Sequence, residues 1–245
     1  MPAMLIQLLL VALMFLSGWW LARVGLKAKL GNGDEWLLRK RVLVVGWLVF
    51  VLLQGYRLTV DFVPGFDIPL HYCDVALPVG LLAIATGVRW LRATLLFWTF
   101  GLSWNAWITP AVAFDLTTVD FWVFWVLHGA VVVLALYDLV VLGYRPRWLD
   151  LWMGVGATIA WGVLTLGINL VSGWNYGYVG PDTELDLAAT NALDVFGDWP
   201  LRLVWMSLTM VVVYALVLGG VTLWARCMTD NKESRLKAIS KDKPA

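Results

Sequence analysis

Apolar residues in this chain run in stretches of about twenty, the length of helix that crosses roughly 30 Å of hydrocarbon. Short charged or Pro- and Gly-bearing stretches separate them. Backbone amides in lipid must be satisfied within their own segment, which makes each stretch a helix. The pattern predicts seven transmembrane helices near 4–22, 42–60, 69–88, 93–112, 119–142, 151–171 and 201–225. The first has no basic side chain ahead of it and ends in Arg23 without a small-x-small cleavage site, so it reads as a retained span. The chain thus reads as an all-α polytopic membrane domain over 1–225 and a charged cytoplasmic tail over 226–245.

Charge decides which way the helices point. The connections at 23–41, 89–92 and 143–150, with the stretch after 225, hold sixteen of the eighteen Lys and Arg residues. The opposite side has only Arg57 and Arg202 against nine acidic residues, among them Asp61, Asp67, Asp115, Asp120, Glu184 and Asp186. The positive-inside rule then puts the N-terminus outside and the C-terminus in the cytoplasm. The connection 172–200, with Gly173, Gly177, Gly180, Pro181 and Gly197, is long enough to fold over the outer mouth of the bundle. Gly154 and Gly156 would let the sixth span approach a neighbour closely.

Composition agrees and adds exclusions. With 61% hydrophobic and 14% charged residues and a mean hydropathy of +0.78, most of the chain needs lipid as its solvent. Many of the seventeen Trp residues fall near predicted span ends, where an indole anchors in the headgroup layer. A net charge of +1, with no basic tract interleaved with aromatics, excludes a nucleic-acid groove. Cys73 and Cys227 fall on opposite sides of the membrane, which argues against a disulfide, and Cys227 reads as a free or palmitoylated thiol.

Polar residues within hydrocarbon are costly unless paired, so they mark where chemistry is to be sought. Span 3 opens with Asp67-Ile68-Pro69-Leu70-His71-Tyr72-Cys73-Asp74, span 4 carries Ser103, Asn105 and Thr109, span 5 His128 and span 6 Asn169. A rise of 1.5 Å per residue puts Cys73 and Asp74 roughly 6–8 Å below the outer end of their span, Asn105 roughly 10 Å and His128 roughly 13 Å. A shared cavity opening outward beneath the 172–200 connection is expected. On a helix, His71 and Asp74 share a face and Cys73 points about 200° away from His71, so a base for Cys73 should come from another helix. Cysteine and histidine form the minimal nucleophile and general-base pair for acyl transfer, and an amide such as Asn105 can steady an oxyanion. The structural alternatives are a cysteine acting as a small hydrophobe, a histidine satisfied by a backbone carbonyl or an Asp, and asparagines that only join helices. Asp74 resists that reading, because a carboxylate at this depth must be neutral, paired or wet.

At these residues the chain resembles the YwaF-like bacterial integral membrane family, related to the eukaryotic transmembrane protein 164 phospholipid acyltransferases. The resemblance runs over roughly 43–215. It rests on Ile68 to Asp74, Gly101 to Pro110 (GLSWNAWITP), Phe121 to His128 (FWVFWVLH), Asn169 with Asn175-Tyr176, and Gly197-Asp198-Trp199-Pro200. It implies an intramembrane acyltransferase or transacylase that moves a fatty acyl group between lipids through an acyl-thioester. Cys73 would be the nucleophile and His128 the histidine, with Asn105, His71, Asp74, Asn175 and Tyr176 shaping the substrate or oxyanion site. That reading needs no cofactor, its partners are lipids, and it places the protein in the cell membrane. A metal-dependent lipid hydrolase or amidase using His71, Asp74 and His128 is a second reading, thin in histidines for zinc. A non-catalytic lipid-binding or transport protein is a third.

Overall fold

A computed structural model describes residues 2–31, 33–60, 62–110, 112, 114–183 and 192–241, and among these there are helices and turns and no strand. Asp61, Glu184 and Asp186, and residues 242–245 of the tail, lie outside the described residues. The helices are α1 Pro2–Leu30, α2 Glu35–Thr59, α3 Tyr72–Thr86, α4 Arg89–Phe97, α5 Trp104–Ile108, α6 Val119–Val140, α7 Trp148–Ser172 and α8 Leu201–Lys241. A π-helical segment, Trp98–Leu102, joins α4 to α5. Among the described residues, four stretches are long and apolar enough to cross a membrane: Ala3–Leu30, Val119–Val140, Trp148–Ser172 and Leu201–Met228. The 25-residue α2 is apolar from Val42 to Leu53 but charged at both ends, and α3 has only 15 residues.

The most apolar window of α6 is 61% buried, whereas those of α1, α7 and α8 are 11%, 22% and 17% buried. The α6 helix is therefore the central post, and the other three turn leucines and valines outward, as lipid-facing helices do. Leu81 and Ile84 of α3, Leu95 and Phe97 of α4, and Leu134 and Tyr137 of α6 fill the core. Glycines set the closest approaches. A Cβ on Gly18 would stand 2.8 Å from Leu136, which seats α1 against α6. Gly154 likewise seats α7 on Phe97, at 2.6 Å. Gly156, which the sequence paired with it, has open space around it and makes no close approach.

Polar clasps tie the two ends of the bundle. At the basic end, the buried Asp150 takes Arg89 Nε at 2.7 Å and Nη2 at 2.6 Å, and Asp138 takes Arg92 Nε at 2.9 Å. Lys29 Nζ caps Val141 O at 2.6 Å, and Tyr137 Oη donates to Glu35 at 2.8 Å. At the other end stand Arg57 and Arg202, the two basic residues that depart from the charge rule; Arg202 is buried, Arg57 is partly buried, and each pairs with an aspartate. Arg202 donates to Asp182 and, at 3.1 Å, to Gly180 O. Arg57 belongs to the site.

Several boundaries differ from the hydropathy pattern for identifiable reasons. The first span runs on to Leu30 because Arg23 lies over the Trp19 ring and Lys29 finds a carbonyl, so charged residues prolong the helix. The fourth was expected as one helix over 93–112. It starts at Arg89, passes through the π segment and stops at Ile108.

Candidate functional site

Residues 67–71 do not open a helix. Leu70 N donates to Ile68 O at 2.7 Å in a tight turn through Pro69, and His71, extended at φ −68° and ψ 144°, caps the start of α3. The expected start at 69 is therefore corrected to Tyr72. Cys73 is the second residue of its helix, in the turn whose amides lack intrahelical acceptors, and not 6–8 Å inside it. The shared helical face proposed for His71 and Asp74 lapses with it, because His71 stands outside the helix. Its main-chain oxygen takes the Asp74 and Val75 amides at 3.0 and 3.2 Å.

Cys73, His71, Asp74, Asn105 and His128 line one cavity of about 350 Å³. Cys73 is half-buried and carries no disulfide. The histidine of α6 is 5% exposed, and its Nδ1 lies 2.8 Å from Phe124 O. A carbonyl can only accept, so Nδ1 carries the proton and the neutral ring keeps its lone pair on Nε2. That Nε2 is buried without a hydrogen-bond partner. His71 is in the opposite tautomer: its Nδ1 accepts from Gly177 N at 3.3 Å, which leaves Nε2 as an N–H donor.

The π segment positions Asn105. Its wide turn is closed by Ser103 N on Trp98 O at 3.1 Å, and Tyr72 Oη donates to Leu102 O at 2.9 Å. The extra residue of a π turn rotates the succeeding residues of α5 relative to a regular helix, and such turns recur at functional sites. Asn105 on α5 is 8% exposed, and its Oδ1 accepts from Thr109 Oγ1 at 3.3 Å, which assigns Nδ2 as its donor.

Arg57, at the end of α2, anchors the mouth of the cavity. Its Nη1 meets Asp74 Oδ1 at 2.7 Å, Nε meets Asp67 Oδ1 at 3.4 Å, and Nη2 donates to Phe66 O at 2.8 Å. Asp67 also takes the Val63 amide at 2.7 Å, and Gln54 holds the Asp67 carbonyl at 2.8 Å. Asp74 is thus paired through one oxygen, while Oδ2 is buried without a partner. Sequence reasoning placed Arg57 only as an exception to the charge rule. The missing signal was available: a buried Asp74 requires a cation, and just two basic residues lie at that end of the bundle.

Asn175 and Tyr176 do not line this cavity. Asn169 holds the Tyr176 backbone at both ends, Nδ2 to O at 3.0 Å and N to Oδ1 at 2.9 Å. Asn175 Oδ1 caps Gly180 N at 2.8 Å. Tyr176 Oη donates to Pro64 O, and burial pushes its phenol up to about 12, so it remains a donor. Their work is to fix the turn that presents Tyr178, which does line the cavity, from a left-handed backbone at φ 59°. No local sequence feature distinguishes Tyr178 from the other aromatics. Among the described residues no three His, Cys, Asp or Glu side chains group to hold a metal ion. His71, Asp74 and His128 therefore do not form the ligand cluster that the second reading needs.

The profile of the TMEM164 family matches residues 2–218. No curated protein and no solved structure matches the chain.

Proposed function

Since the chain belongs to the TMEM164 family and is a multi-pass membrane protein, we propose that it is an intramembrane acyltransferase that carries a lipid acyl group on Cys73. The observation that carries this reading is the unpartnered Nε2 of His128, buried in the cavity that Cys73 lines and fixed as an acceptor by Phe124. In the first half-reaction, His128 Nε2 takes the thiol proton and the sulfur attacks the ester carbonyl of a donor lipid. A C–S bond forms, the ester C–O bond breaks, and the proton passes to the departing alkoxide, which leaves as a lysolipid or alcohol. In the second, an acceptor hydroxyl attacks the thioester, giving up its proton through His128 to the sulfur. Asn105 Nδ2 and His71 Nε2 are the N–H donors assigned to the developing oxyanion. Asp74 and Arg57 set the helix start that presents the thiol, and Asn175 and Tyr176 act through the turn they hold.

The same reading places seven spans in the bilayer of the cell membrane: α1, α2, α3, α4 through α5, α6, α7 and the apolar part of α8. The basic end faces the cytoplasm and the cavity faces outward, which puts the N-terminus outside. Purified protein given a phospholipid with a labelled acyl chain and a lysolipid acceptor is expected to move the label. Cys73→Ala should reduce transfer to background, and His128→Ala should reduce it by at least about 10²-fold. Label exchange undiminished in Cys73→Ala overturns the proposal; a bound, unmodified lipid without exchange identifies a binding protein.

A further inference from the structure

A second cavity, of about 250 Å³, lies between the π segment, α7 and α8. Tyr72, Asn105 and Tyr178 line both cavities, so the two meet at the residue before Cys73. Their linings are chemically opposed. The first contains Arg57, Asp67, Asp74 and Asp120, whereas among the described residues no charged side chain borders the second, whose walls are mainly Leu, Ile, Val, Met, Phe and Trp. Its frame is fixed by a hydrogen-bonded chain: Trp98 Nε1 donates to Thr158 Oγ1 at 2.8 Å, and Thr158 meets Tyr214 Oη at 2.8 Å. On its outer side Ile159 and Val163 of α7 are 53% and 65% exposed, so the cavity borders the lipid-facing surface.

We propose that this second cavity holds the hydrocarbon tail of the transferred acyl group, and that Gly162, Met206 and Met210 set the chain length it takes. An amphiphile across the junction puts its ester at Cys73, its polar remainder among the charged groups and its tail against α7 and α8. Leaving methylenes in water is unfavourable, so a tail finds this the favourable side. Gly162 has no atom within 4 Å of a built Cβ, so a side chain there has space to occupy. Met210 is buried at the opposite wall on α8. The inference rests on the acyl-transfer reading for what is bound, but not for where.

Two measurements separate the ideas. A phospholipid with a diazirine at its acyl terminus, photolysed with full-length Cys73→Ala protein in nanodiscs, is expected to label peptides containing Met206 and Met210. Labelling spread evenly over the lipid-facing helices overturns the cavity, whatever becomes of the chemistry. In the transfer assay, with the cysteine restored, Gly162→Phe should shift preference toward shorter donors by roughly 10-fold or more, and Met210→Ala toward longer ones, on the scale by which apolar sites discriminate methylenes. Transfer with an unchanged chain-length profile in both variants overturns the inference and leaves the acyl-transfer reading intact. Diazirine labelling at α8 with no acyl transfer by the wild type does the reverse.

Discussion

At the scale of single residues, Arg57 holds the most at stake. Its guanidinium joins Asp74, Asp67 and the Phe66 carbonyl, with only 11% of the side chain exposed against 4% for Asp74. Removing one partner of a buried pair leaves an uncompensated charge, so Arg57→Ala should cost about 3–5 kcal/mol. Adding Asp74→Asn should restore part of that loss, because the pair is coupled. Thermal unfolding of purified Arg57→Ala, Asp74→Asn and the double variant in detergent checks both; a double-variant loss equal to the sum of the two single losses would show that the residues act independently. Cys73, Asn105 and His128 were legible in the sequence because each is a polar residue within an apolar run, where chance placement is expensive. The tautomers of the two histidines were not, since they depend on a carbonyl from Phe124 and an amide from Gly177 in a distant connection.

At the scale of elements, hydropathy located helices by their middles and missed their ends. A fixed window of about twenty residues truncates α1 and α7 and extends α3 backward through Pro69. Helix ends are set by caps and side-chain contacts that no hydrophobic average contains. The π segment is likewise invisible to hydropathy, since Trp98–Leu102 is as apolar as its neighbours. The turn at 176–178 depends on one position in particular. Gly177 has φ 67°, and a Cβ there would fall 2.1 Å from the Trp161 ring. Gly177→Ala should therefore destabilise the turn by roughly 1–3 kcal/mol, the range for strained backbone. Faster proteolysis within 172–200 than in the wild type is the expected readout, and an unchanged cleavage rate would mean that the turn carries no such strain.

For the whole molecule, burial orders the helices around α6, and the charge asymmetry supports the proposed direction of the bundle. With the proposed topology, single cysteines introduced near Gly33 and Gly143 in a Cys73→Ala, Cys227→Ala background should react with a membrane-impermeant maleimide only after the membrane is opened. One at Thr117 should react in intact cells. Reaction at Gly33 or Gly143 from outside would invert the orientation. The internal capture of both arginines at the cavity end has a consequence for supply. Among the described residues, that end presents exposed Asp115, Asp120 and Asp198 with no cation left over to offset them. A water-borne polyanion, such as a nucleotide-linked acyl carrier, meets like charge at this face, whereas a neutral or zwitterionic amphiphile meets no such repulsion.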